Sequence, residues 1–336
     1  MRTLLFCSLI ASGCADPATA PRTFAFGPFH LEPGAEVTDR CVSMTLGNDE
    51  ALYVNAVELA TATGVHHANW FWVPERVFPG PDGEWPCSER GYAESVAGVL
   101  GSVLFAMSTQ ATHERQAFPD GVVIHVPPHS KLVAGLHLMN ATDAPLDVPL
   151  SLTLESLAER DVTTKLAGFS LENQGLAIPP GQLSRFTVEC DMNTRHQQVF
   201  GRPIDFKIYY VLPHYHALGA GLTIEAIRDS DGGADTVWTT AHRIGDAIGG
   251  PLDPPFDLTG HSRLRFSCTF DNPRDVSVGW GVGDQEMCMA LTFTDSAYTW
   301  QAGELAGLDP GPGVSNGNVR DFTAANCDVR SADATR

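Results

Sequence analysis

"FKIYYVLPHYH", residues 206–216, decides how the chain is read. Its aromatic and β-branched side chains favour an extended strand over a helix. On a strand, residues two apart leave the same face. His214 and His216 therefore present two imidazoles side by side, with no special geometry required. Runs of the same type recur on both sides of it. "VVIHV" (122–126), "LVAGLHL" (132–138) and "VPLSLTL" (148–154) precede it, together with "RFTVEC" (185–190). "GLTIEAI" (221–227), "RLRFSCTF" (263–270) and "CMALTFT" (288–294) follow it.

Gly 32 and Pro 23 punctuate these runs, and long helical patterns are scarce. Short strands at this spacing predict an all-β chain made of two antiparallel β-sandwich domains in tandem. The polar stretch "AERDVTTK" (158–165) marks the division. It gives an N-terminal domain over 21–161 and a C-terminal domain over 162–330, after a leader and linker (1–20) and before a tail (331–336). "YAESVAGVLGSVLFAM" (92–107) has the length of a helix, but its glycines oppose one. The segment after Cys327 is expected to be frayed.

A chain of 336 residues with 43% apolar and 18% charged residues has ample material for a core. Its net charge of −19 repels phosphate backbones, which argues against a nucleic-acid partner. "MRTLLFCSLIASGC" (1–14) is too short to span a bilayer and reads as a secretory leader. Two processing sites compete. "ASGC" has the form of a lipobox, with Cys14 lipidated, and "ATA" (18–20) has the form of an ordinary cleavage site, hindered by Pro21. The chain is thus expected to be exported, either as a bacterial envelope lipoprotein or as a periplasmic or secreted protein. Membrane contact is expected only through such a lipid anchor. Of eight cysteines, Cys7 leaves with the leader and Cys14 would be lipidated. The remaining Cys41, Cys87, Cys190, Cys268, Cys288 and Cys327 suit disulfides in an oxidising compartment, with fifteen pairings open.

Most of the twelve histidines read as ordinary. His30, His113, His196, His242 and His261 stand among polar or turn residues, as surface or hydrogen-bonding groups. His125 and His129 flank prolines that forbid a regular helix. His66 and His67 are neighbours, so joint ligation needs a bend, which Gly64 can supply; taken alone, the pair reads as structural. His137 in an apolar strand reads as a core residue. Met287, in "GDQEMC" (283–288), would ordinarily be core too. Beside two imidazoles, however, a thioether selects copper, especially Cu(I).

The order of these features along the chain is HH, a strand histidine, HxH, then EMC. It resembles the copper type II, ascorbate-dependent monooxygenases, the family of peptidylglycine α-hydroxylating monooxygenase and dopamine β-monooxygenase. The resemblance runs from about Phe24 to Cys327. It rests on "VHH" (65–67), "FPDGV" (118–122), "LHLMN" (136–140), "AIPPG" (177–181), "HYHALG" (214–219), "CTFDN" (268–272) and "GDQEMC" (283–288).

This resemblance implies two jelly-roll-type sandwiches with one copper site each, facing across an open cleft. His66, His67 and His137 would hold the first copper, which stores and passes an electron. His214, His216 and Met287 would hold the second, where O2 binds, and would be the catalytic set. The cofactors implied are two coppers per chain, O2, and ascorbate or an equivalent reductant. The resemblance also implies the disulfides Cys41–Cys87, Cys190–Cys327 and Cys268–Cys288.

The departures concern substrate. Peptide-hydroxylating relatives carry an arginine two residues before the HxH pair, where Leu212 stands here. Their tyrosine and asparagine after EMC are replaced within Met289, Ala290 and Leu291, and the HH pair is followed by Ala68 rather than Met. A small apolar or aromatic molecule is therefore expected as substrate rather than a peptide carboxylate. A reading from another class is a surface copper-binding protein, for storage or delivery, without catalysis. A zinc hydrolase is disfavoured, because it gives Met287 no role.

Overall fold

The computed structural model describes residues 19–242 and 244–333. The expected leader through residue 18, with Cys7 and the lipidation candidate Cys14, lies outside the described residues. The fold is a jelly-roll-like β-sandwich architecture of several sheets. In the N-terminal half, Gly83–Trp85, Glu36–Thr45, Ser130–Met139, Val65–Pro74 and Ser102–Ala106 are successive neighbours in one sheet. Facing it are Arg22–Leu31, Leu146–Leu157, Leu52–Thr61 and Val122–Val126. The period-two pattern builds this core: Leu150, Leu152 and Leu154 point in, while Ser151 and Thr153 remain half-buried. In the C-terminal half, Gln182–Asp191, His261–Asn272 and Gly219–Arg228 form the middle of a six-stranded sheet. Phe186, Phe266 and Phe270 from that sheet pack with Phe169 and Ile208 from the layer opposite.

The two halves are joined edge to edge. The strand Thr164–Asn173 runs parallel to Val122–Val126 over its first three residues, then pairs antiparallel with Met289–Thr294 from Ala167 to Glu172. One sheet therefore continues through the expected boundary at 161/162. The strand Lys207–His214 has a register shift between Ile208 and Tyr210. Ile208 belongs to the second core, whereas Tyr210 and Leu212 belong to the first, with Phe293 beside them. Phe118 packs edge-on against Tyr210 and Phe293, with centroids 5.6 and 5.3 Å away. The open cleft expected between the sandwiches is closed at this point by aromatic packing. Leu212, which stands where peptide-hydroxylating relatives carry an arginine, is only 1% exposed in the first core, and Ala290 is buried in the second.

Three disulfides are formed: Cys41–Cys87, Cys190–Cys327 and Cys268–Cys288. They are the pairs the family resemblance implies, and they suit an oxidising compartment. Among the described residues, no helix is long and apolar enough to cross a membrane.

Two local expectations differ. The run 92–107 is split into a helix, Glu94–Leu100, and a strand, Ser102–Ala106. The break falls at Gly101, where a Cβ would lie 1.8 Å from the Trp72 carbonyl oxygen. The segment after Cys327 is not frayed through Asp333, because Asp328–Asp333 forms a strand against Tyr298–Glu304. The Cys190–Cys327 bond tethers its start. A helix not anticipated from the sequence, Met192–Phe200, begins where the Asp191 carboxylate accepts the Thr194 N–H and ends at Gly201 with φ 69°.

Candidate metal centre

The N-terminal histidines are placed by a β-bulge. Val65 pairs with Leu138 and His67 with His137, leaving His66 as the extra residue. Beyond the bulge, Ala68, Trp70 and Trp72 face the first core, while Phe71 and Val73 face a separate cluster on the other side of the sheet. His67 shares that outer face, and His137 stands directly opposite it on the neighbouring strand. The bulge lets His66 join them, with its ring centroid 4.5 Å from that of His137. Neighbouring residues thus reach one site, which a regular strand forbids. Gly64, with φ 122°, holds the entry to the strand, and its carbonyl accepts the Met139 N–H at 2.9 Å.

The C-terminal histidines flank the end of a strand. His214 is the last residue of Lys207–His214, and Tyr215 turns back into the second core. His216 follows in a turn held by Glu286, which is 1% exposed. The Glu286 carboxyl accepts the N–H of His216 at 2.9 Å and of Leu218 at 2.6 Å. Burial raises the pKa of Glu286 to about 7, against the lowering effect of these N–H donors. Met287 is half-buried and precedes the strand Met289–Thr294. His214 is the register partner of Met289. Cys288, next to Met287, is anchored to Cys268.

The two sets meet. His66 lies 5.2 Å from His216, His67 lies 4.9 Å from His214, and His214 lies 5.3 Å from His216, all between ring centroids. With the His66–His137 contact and the His67/His137 strand pair, the five imidazoles close a circuit between the two halves of the chain. His66, His137, His214 and His216 are buried, and His67 is partly exposed. Burial, aided by the charges that His137 and His216 would carry, lowers the pKa of His66 to about 4. Burial first and His216 second lower that of His214 to about 3. His67 is held well below the ordinary range by burial and by the other four rings, and burial lowers His216 as well. These rings are therefore neutral at pH 7.

Hydrogen bonds fix which nitrogen carries the proton. A carbonyl can only accept, so His214 Nδ1–H donates to the carbonyls of Met107 and Ser108 at 3.1 and 3.2 Å. His216 Nδ1–H donates to the Gln285 carbonyl at 2.8 Å. Each then keeps a lone pair on Nε2, and both Nε2 atoms are buried without a hydrogen-bond partner. His66 Nδ1 is likewise buried and unpaired. His137 is bonded through Nε2 to Glu36 Oε1 at 2.8 Å, which leaves its Nδ1 as the free nitrogen. A buried polar atom without a partner costs about 1–3 kcal/mol. A metal ion is the partner that neutral imidazole lone pairs fit, and carboxylate or carbonyl partners on the opposite ring nitrogen are its usual support.

Among the described residues, no three His, Cys, Asp or Glu side chains already converge as a ligand group. The histidines meet ring against ring instead. The remaining candidates go elsewhere. His125 packs on Tyr53, and His196 stacks on Trp300 and donates its Nδ1–H to the Arg202 carbonyl at 2.9 Å. Sequence reasoning missed the supporting residues Glu36, Met107, Ser108 and Gln285. Only Glu286 carried a signal, through its place beside Met287.

No family model matches the chain, and no curated protein matches it. Among solved structures, it is similar to the major capsid protein P2 of bacteriophage PM2, with 9% identity, 82% of this chain and 97% of that chain covered, and a TM-score of 0.29. It is also similar to PNGase F, a glycosylasparaginase from Flavobacterium meningosepticum, with 7% identity, 81% and 95% covered, and a TM-score of 0.32. At such TM-scores neither likeness carries an argument about this chain.

Proposed function

We propose that this protein is a copper-dependent monooxygenase of the ascorbate-using type, exported and anchored by a lipid at Cys14, that hydroxylates a C–H bond of a small apolar or aromatic substrate. The observation that carries the reading is the ring-to-ring contact of His66 with His137 and His216 and of His67 with His214, with buried unpaired nitrogens among these rings. Copper held by these residues and Met287 would supply one-electron redox chemistry and oxygen reduction, with ascorbate or an equivalent as reductant. Imidazoles and a thioether are the donors that such a metal selects.

The chain's own residues prepare the site. The Met107, Ser108 and Gln285 carbonyls hold the His214 and His216 rings with Nε2 unprotonated. Glu36 does the converse for His137. Depressed imidazole pKa values keep protons from competing with a metal near neutrality. The expectation of an uncharged substrate rests on the sequence alone, where Leu212 stands in place of the arginine of peptide-hydroxylating relatives.

One observation favours the copper-carrier reading instead: the two histidine sets form a single cluster rather than two separate centres. Oxygen uptake driven by ascorbate separates the two. The copper-loaded protein should consume O2 faster than the same concentration of free copper, and should do so only with reductant present. Uptake no greater than that of free copper would leave the carrier.

A further inference from the structure

Met107, Ser108 and Thr109 lie beyond the end of the strand Ser102–Ala106 and belong to no strand themselves. Their conformation is set by bonds to individual groups. On one side, the carbonyls of Met107 and Ser108 accept from His214 Nδ1. On another, Ser108 Oγ accepts the Ile248 N–H at 3.1 Å, and Thr109 Oγ1 accepts the Gly245 N–H at 3.0 Å while donating to the Asp246 carbonyl at 2.6 Å. On the third side stands Glu114, in the strand His113–Ala117 and 2% exposed. Its Oε2 accepts the Ser108 N–H at 2.9 Å, and its Oε1 is buried without a partner. A carboxyl group buried with one oxygen unpaired is costly to keep. Its one bond from this segment leads through a single peptide unit to a ring nitrogen of a candidate ligand on the other sandwich.

We propose that Glu114 is a positioning residue for His214: by holding the Ser108 N–H it aims the Met107 and Ser108 carbonyls at His214 Nδ1 and keeps Nε2 free for metal. The proposal rests on the copper reading for the use of that nitrogen, but not for the position of the proton. Groups that orient a ligating histidine are typically worth about 10–100-fold in metal affinity.

The test is made on the metal-free mature chain, labelled with 15N, by long-range proton–nitrogen correlation of the imidazoles. The His214 signals are assigned by their loss in His214→Asn. Wild type should show the Nδ1–H form. Glu114→Gln, which still offers an acceptor to Ser108, should keep that form. Glu114→Met, which fills the space without one, should move His214 towards a mixture of forms while His66 stays unchanged. Its Cu(I) affinity, from competition with a chromogenic chelator, should fall about 10–100-fold. A wild-type Nε2–H form, or an unchanged His214 in Glu114→Met, would overturn the proposal. If Glu114→Met does not fold, the wild-type form and the Glu114→Gln spectrum decide: loss of Nδ1–H in the Gln variant overturns it, retention supports it. Copper binding by wild type is scored separately, so failure of the copper reading is told apart from failure of the positioning role.

Discussion

His66 and His216, one from each half of the chain, stand with ring centroids 5.2 Å apart and planes at 66°. The contact depends on two local devices. A bulge turns His66 towards His137, and the Glu286-capped turn brings His216 back past the end of its strand. Groups in contact should not act independently. In a double-mutant cycle of His66→Ala and His216→Ala, read by Cu(I) affinity, the single effects should fail to add by about 0.5–3 kcal/mol. Additive effects would mean that the two sets bind metal as separate centres.

The imidazoles impose an acid limit on the metal-free protein. In the fold His66 titrates at about 4 and His214 at about 3, against an ordinary value of 6.5. The unfolded chain takes up these protons first, so the stability they confer is present above pH 6.5 and is lost as pH falls through the folded values. Urea midpoints should fall from pH 6.5 to pH 4, and His66→Asn should reduce that slope. An unchanged slope in the variant would contradict the assignment.

Glu114 acts with the opposite sign. Burial raises its pKa from 4.5 to about 7. The unfolded carboxyl ionises first, so wild type loses stability relative to Glu114→Gln as pH rises from about 4.5 to about 7. The difference should be small at pH 4 and reach roughly 3 kcal/mol at pH 8. Parallel urea curves for the two proteins at both pH values would refute it.

The Cys268–Cys288 bond closes a short loop, with a sequence separation of 20, and anchors the residue after Met287. Replacing both cysteines by alanine should cost about 3 kcal/mol of stability in urea unfolding. Because Met287 then loses its fixed neighbour, Cu(I) affinity should fall as well. A stable variant with wild-type affinity would remove Met287 from the ligand set.

Much of this was legible in the chain itself. The strands around "FKIYYVLPHYH" follow from β-branched and aromatic side chains in alternation. The order of the histidines and Met287, together with the family resemblance, singled out the five rings and the three disulfides that are formed. The rest depends on partners remote in sequence. That His66 and His67 share a site follows from the register of Ser130–Met139, which local sequence does not encode. Leu212 is singled out only by its place two residues before the HxH pair, and its membership of the first core with Tyr210 and Phe293 depends on packing that this spacing does not encode. Glu36 and Glu114 are lone acids in strands, with no motif around them, and their roles arise from what the fold sets beside them.

The most direct test of the central claim is copper per chain. Protein lacking residues 1–20 is loaded with copper under reducing conditions, desalted, and assayed for metal and protein together. The account predicts two equivalents, retained by wild type and lost when His66, His67, His214 and His216 are all replaced by alanine. One equivalent or none in the wild-type protein would contradict it.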